Sequence, residues 1–183
     1  DMVVDKNGGA YIGNFGFDRH AGEKPKPTTL VRVAPNGEAS IAAEDLWFPN
    51  GAVITPDNSI LIIAETRASR LTAFDILHNG ELKNRRVFAE TNNMYPDGIC
   101  LDEEGAIWVA DPKNKEVIRI KEGGEITDKL KLETRGAYAC MLGGNDGKTL
   151  FVCTNTGSGP DIAKQRTGKI ETTRVKIAKA GRP

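Results

Sequence analysis

Apolar and polar residues alternate along most of this chain in short runs, and no stretch keeps a 3.6-residue period for more than two turns. The runs pair into candidate hairpins: 2–5 with 10–14, 52–55 with 60–65, 99–102 with 107–111, and 139–142 with 150–154. Their connections, KNGG, PDNS, EEGA and GGNDGK, are rich in residues that accept tight turns. Between them lies a second set: 29–34 with 39–43 around Pro-Asn-Gly, 70–77 with 85–89 around His-Asn-Gly, and 116–121 with 126–132 around Gly-Gly. The pattern predicts an all-β chain.

These hairpins repeat in register. An offset of 97 puts Asp5 on Asp102, Tyr11 on Trp108 and Ile12 on Val109. An offset of 47 puts Thr55 on Asp102, Ile60 on Ile107 and Ile62 on Val109, with no gap. The fourth unit is looser, with a longer turn. Four-stranded units recurring every 40 to 50 residues or so predict a β-propeller, in which each blade buries its faces against its neighbours. A sandwich or a stack of unrelated hairpins would not explain the register. Roughly three and a half blades are present, whereas closed propellers take about four to eight, and a half-ring would leave strand edges unpaired. The chain is therefore read as a single propeller domain over 1–183, incomplete at its N-terminus and forming the C-terminal part of a larger ring.

One position stands out in this repeat. Asp97 lies in Tyr95-Pro96-Asp97-Gly98, which alone is turn chemistry: Pro presets φ, Asp caps its own backbone and Gly takes a positive φ. The 47-residue offset, however, lands Asp97 on Asn50 of Phe48-Pro49-Asn50-Gly51. Both segments are Pro-X-Gly, with an oxygen-bearing X one residue before an apolar strand. In a propeller such positions sit around one mouth of the channel, so the two oxygens are expected to converge near its axis. The same register puts the first unit's matching position one residue before Asp1 and the fourth unit's at Tyr138 or Ala139, which ligate poorly. Asn and Asp oxygens without thiolate or imidazole suit a hard cation, Ca²⁺ ahead of Mg²⁺ or Mn²⁺, with water completing the shell. The competing reading, two ordinary blade turns, stays open on these residues alone.

Composition alters this picture little. Basic and acidic side chains number 25 each, so net charge offers no argument for a nucleic-acid or membrane partner. No apolar run nears the roughly 20 residues of a membrane span; the longest covers 60–64. Cys100, Cys140 and Cys153 lie in apolar strand-like runs and read as reduced, buried thiols rather than disulfides or a zinc site. The chain opens on Asp1 directly into a strand, so it is expected to begin within a longer protein, and a cytoplasmic location is the expectation. His20 and His78, in polar loops, read as solvated, and no Gly-x-Ser-x-Gly elbow marks a serine hydrolase. Ser158 falls in a polar loop, and 18–28 reads as a solvated connection more readily than as a lid. Arg135, Tyr138 and 91–94 flank the expected mouth as substrate contacts, while Trp47 and Trp108 read as blade-packing residues.

The words DMVVDKNGGAYIGNFGFD, FPNGAVITPDNSILIIAET, YPDGICLDEEGAIWVAD and YACMLGGNDGKTLFVCT resemble the senescence-marker-protein/gluconolactonase/luciferin-regenerating family of six-bladed propellers. The likeness runs from residue 1 to about 155, and GKIETTRVKI resembles the family's closing strand. It implies that blades three to six are present. It also implies a divalent metal at the channel mouth, held by a Glu, two Asn and one Asp, with Ca²⁺ first and Zn²⁺, Mg²⁺ or Mn²⁺ as alternatives. Asn50 and Asp97 match the second Asn and the Asp; the other two ligands are expected upstream of Asp1. Asp18 matches an acidic substrate-contacting position. The implied activity is hydrolysis of a lactone such as a sugar lactone, with a small molecule rather than nucleic acid or membrane as partner. In that reaction the metal polarises the carbonyl, and Asp97 is the catalytic candidate in register to accept a proton from water. The rival expectations are a non-catalytic binding propeller with a structural calcium ion, and an enzyme for a different ester or phosphate ester.

Overall fold

The computed structural model describes residues 1–19 and 21–181; His20 lies outside them. Strands β1 (Met2–Val4), β2 (Ala10–Ile12), β3 (Thr28–Val33) and β4 (Ala39–Leu46) form one antiparallel meander. A second comprises β5 (Pro49–Ile54), β6 (Ile60–Glu65), β7 (Arg70–Ile76) and β8 (Leu82–Glu90). A third comprises β9 (Ile99–Leu101), β10 (Ile107–Asp111), β11 (Glu116–Ile120) and β12 (Ile126–Lys131). The last holds β13 (Gly136–Gly143), β14 (Thr149–Asn155) and β15 (Lys169–Arg174). The first strands β1, β5, β9 and β13 lie side by side in that order, so the four sheets are successive propeller blades with these strands innermost. A short helix α1 (Pro160–Gln165), which strand periodicity does not predict, links β14 to β15. No helix among the described residues is long and apolar enough to cross a membrane.

Period-2 alternation is what makes the blades stack, because each strand sends alternate side chains to opposite seams. Val3, Tyr11 and Leu30 of the first blade meet Leu61, Ile63 and Phe74 of the second. Val53, Ile62 and Leu71 meet Ile99, Ile107 and Ile118 across the next seam, and Trp108 and Val117 meet Leu142 and Val152 across the third. Cys100 and Cys140 face each other across that third seam as free, buried thiols, Sγ to Sγ 4.0 Å. Cys153 departs from the expectation of burial: it is exposed and lines a cavity between β14, β15 and α1. Trp108 is buried as blade packing requires, whereas Trp47 is 37% exposed and contributes its backbone N–H, which donates to Glu65.

The gapless 47-residue superposition needs one correction. Thr55 N–H bonds the Ile60 carbonyl, whereas Asp102 N–H bonds the Ala106 carbonyl, so the second blade's turn holds one residue more. The offset is 47 along the inner strand and 46 beyond the turn, where Leu61 matches Ile107 and Glu65 matches Asp111. First and third blades keep their offset across this turn, since Val3 pairs with Tyr11 as Cys100 pairs with Trp108. Asp102 serves its turn twice: Oδ1 accepts from the Glu104 and Ala106 N–H groups, and Oδ2 takes Arg119 Nε at 2.6 Å.

Candidate functional site

The two Pro-X-Gly segments are not turns. Pro49, Asn50 and Gly51 open strand β5. Asp97 N–H donates to the Ala110 carbonyl at 2.9 Å and Ala110 N–H to that of Gly98 at 3.0 Å, so the second segment prolongs the β9–β10 pairing. Neither Gly51 nor Gly98 takes a positive φ. Glycine is required there by close approach: a Cβ on Gly51 would lie 2.6 Å from the Asp97 carbonyl oxygen, and one on Gly98 would lie 2.7 Å from Ala139 Cα. The backbones are laced across the seams, Gly51 N–H donating to the Asp97 carbonyl at 3.2 Å and Gly98 N–H to that of Tyr138 at 2.9 Å.

This lacing sets Asn50 of one blade beside Asp97 of the next. The Thr66 hydroxyl donates to the Pro96 carbonyl at 2.7 Å, so it accepts from Asn50 Nδ2 at 3.1 Å. That bond orients the amide and leaves its oxygen as the end not committed to Thr66. Asp97 is half-buried. Burial pushes its carboxyl up to about 6, against hydrogen bonding from Asn50 and the positive charge of Arg19, while the Asp111 charge pushes it further up. Both residues line a cavity of about 540 Å³ at the inner-strand ends, which Tyr138 also lines. Phe15 and Phe48, packed edge-on with centroids 4.4 Å apart, form an apolar wall of the same cavity.

The remaining sequence candidates lie elsewhere. Asp18 is exposed, accepts from the Ala21 N–H through Oδ1, and is outside the cavity lining; its neighbour Arg19 is the residue that enters. Arg135 is tied into the last blade by hydrogen bonds to the Thr154 hydroxyl and to the Thr154 and Thr167 carbonyls. Met94 is packed into the core between the second and third blades, and Thr91 is buried. Among the lining residues that sequence reasoning missed are Phe15, Thr66, Tyr95, Arg67, Lys113 and Arg19. A signal for two of them existed: Arg67 and Lys113 fall on each other once the offset is 46. A second cavity of about 540 Å³ between β14, β15 and α1 is apolar and has no acidic side chain in its lining.

Asn50 and Asp97 supply an uncharged and a charged oxygen, the donor chemistry of a hard divalent cation. Burial disfavours the charged form of the Asp97 carboxyl, a cost that a bound cation would offset. Two donors are a minority of the roughly 6–8 oxygens that Ca²⁺ takes. No group of three or more His, Cys, Asp or Glu side chains with metal-holding geometry occurs among the described residues.

Residues 1–156 match the family described as the SMP-30/Gluconolactonase/LRE-like region. The chain belongs to this family. Among SMP-30/gluconolactonase relatives, it is 27% identical over 172 residues to 6-deoxy-6-sulfogluconolactonase of Pseudomonas putida, covering 91% of this chain and 57% of that protein. It is 30% identical over 173 residues to regucalcin of Oryctolagus cuniculus, covering 88% and 56%. The structure of a luciferin-regenerating enzyme superposes with a TM-score of 0.83 at 19% identity, over 99% of this chain and 62% of that one, and so shares the fold. The chain spans a little over half the length of these relatives. Lactone hydrolysis thus occurs within the family.

Proposed function

We propose that this chain carries part of the active site of a lactonase that works with a divalent cation. The observation that supports it is the pairing of Asn50 with Asp97 across a blade seam, inside a cavity of small-molecule size with an aromatic wall. The name of the Pseudomonas putida relative points the same way, toward a sugar-acid lactone. Asn50 and Asp97 would hold the cation, Ca²⁺ fitting an all-oxygen donor set, with further ligands from outside this chain. When bound, it would supply Lewis-acid polarisation of the ring carbonyl.

The chain's own residues handle substrate and proton. Phe15 and Phe48 offer the apolar face of a sugar ring a surface to lie on. Asp97 stands at the cavity in reach of a water attacking the ring carbonyl and takes its proton. Water oxygen bonds to the carbonyl carbon, the ring C–O bond breaks, and the released alkoxide recovers the proton to give the hydroxy acid. Asn50 adds no negative charge and so leaves the cation's electrophilicity intact.

The test is proton release from a lactone panel by the full-length protein, with and without chelator. Chelator-sensitive turnover that falls at least about a hundredfold in Asp97→Ala is expected, the loss of a base contributing about 10²–10⁴. Turnover that survives in Asp97→Ala would overturn the assignment. Calcium binding without hydrolysis of any lactone would instead favour a non-catalytic binding propeller.

A further inference from the structure

Three cationic side chains reach the same cavity from three different blades. Arg19 follows β2, Arg67 sits in the β6–β7 turn and Lys113 in the β10–β11 turn. Arg67 and Lys113 occupy equivalent positions of successive blades, so their convergence comes from the repeat and not from a chance of loop path. Both lean on one ring: the Arg67 guanidinium carbon is 5.5 Å from the Tyr95 centroid and Lys113 Nζ is 4.2 Å from it. Arg19 Nη2 donates to Ser158 Oγ at 3.1 Å, which draws the first blade's loop toward the last blade's. Among the described residues none of the three cations takes a carboxylate partner in an ion pair. The acidic side chains in the same lining are Asp1 and Asp97.

Cations without ion-pair partners, held over an aromatic platform beside a small-molecule cavity, offer an anion a ready set of donors. Each guanidinium or ammonium N–H bonded to a phosphate or sulfonate oxygen is a charge-assisted hydrogen bond. The ring of Tyr95 gathers the two cations at one side of the cavity. We propose that this cavity selects a lactone carrying a phosphate or sulfonate group remote from the ring ester, with Arg67 and Lys113 gripping that group over Tyr95. The inference rests on the lactonase reading for the reaction, while the anion recognition stands on these side chains alone. Arg19, nearer Asp97, then faces the ring end of the substrate, and the positive field of the mouth speeds capture of the anion.

The experiment uses the full-length protein and compares, by calorimetry in the presence of chelator, binding of gluconate, 6-phosphogluconate and its sulfonate analogue. The two doubly functional acids are expected to bind about tenfold or more tightly than gluconate, with the preference shrinking as salt rises. Arg67→Glu and Lys113→Glu, both at exposed turn positions, should each erase that preference, and Arg67→Lys should retain part of it. Equal affinity for all three acids, or a preference that survives both charge reversals, overturns the inference. The kcat/KM ratio of phosphorylated to unsubstituted lactone then separates the two readings. Preferential binding with no turnover of either lactone sinks the lactonase reading and leaves anion recognition standing. Turnover without any binding preference or ratio does the reverse.

Discussion

At Gly51 and Gly98 a missing Cβ decides how the molecule closes. The neighbouring inner strand passes so near that any side chain would meet main-chain atoms, which cannot swing aside. Gly98→Ala should therefore cost about 1–3 kcal/mol, the range for overfilling a packed site, read by chemical denaturation. The same variant should weaken cation binding, because the strand that carries Asp97 must shift. A loss below about 0.5 kcal/mol, typical of an indifferent surface site, would mean that the seam tolerates more room than its geometry indicates. Asp97 itself owes its basicity to where it lies: the same carboxyl on a solvated turn would not be pushed up to about 6.

One element down the chain, the blades solve the same turn in two ways. The third blade uses a buried ion pair, Asp102 with Arg119, extended by Glu104 and Thr127. The second places Thr55 and Ala73 at the matching positions and has no charge there. Arg119→Ala alone leaves a buried carboxylate unpaired and should cost about 3–5 kcal/mol. Adding Asp102→Thr, in imitation of the second blade, should return a large part of that loss, and a double-mutant cycle measures the coupling. The extra residue in the second blade's turn is accommodated by Asp57, whose carboxylate accepts from the Thr55 and Ser59 hydroxyls and the Ser59 N–H. These bonds, the Thr55 hydroxyl first, hold its carboxyl down from 3.8 to about 2. Because the folded value is the lower one, the stabilisation is present above about pH 4 and is lost as pH falls toward 2. Asp57→Asn should then lower the melting temperature slightly at pH 7, with the gap to the parent closing between pH 4 and 2. The effect is small because the group is exposed and water screens it.

At the scale of the whole molecule, the two ends of the blade series stand out. On the first blade Val3 faces the second blade while Met2 and Val4 point the other way and are exposed, and Ile170 on the last blade is 70% exposed. Apolar sheet faces of this kind drive association. Residues 1–183 produced alone are expected to self-associate, with Val4→Lys and Ile170→Lys reducing the effect in light scattering.

Alternation and turn residues carried the blade repeat, most of the strand pairing and the Asn50–Asp97 equivalence, because these depend on spacing of two and on local backbone chemistry. The site was legible where a repeat made it so. Arg67 and Lys113 escaped notice since a single inserted residue in the second blade's turn breaks the register by one. Arg135 and Met94 were placed at the mouth by proximity in sequence and Asp18 by resemblance, yet successive residues of a strand face opposite ways, and none of the three is in the cavity lining.

Local pattern by itself therefore determined the all-β character, the blade repeat and the equivalence of Asn50 with Asp97, since these follow from alternation within each hairpin and its recurrence along the chain. Tertiary structure alone decided which side chains share the cavity, why the glycines are needed and how strongly Asp97 holds its proton. Those properties arise at seams between strands some forty residues or more apart, where distance and burial, which no spacing encodes, set the chemistry.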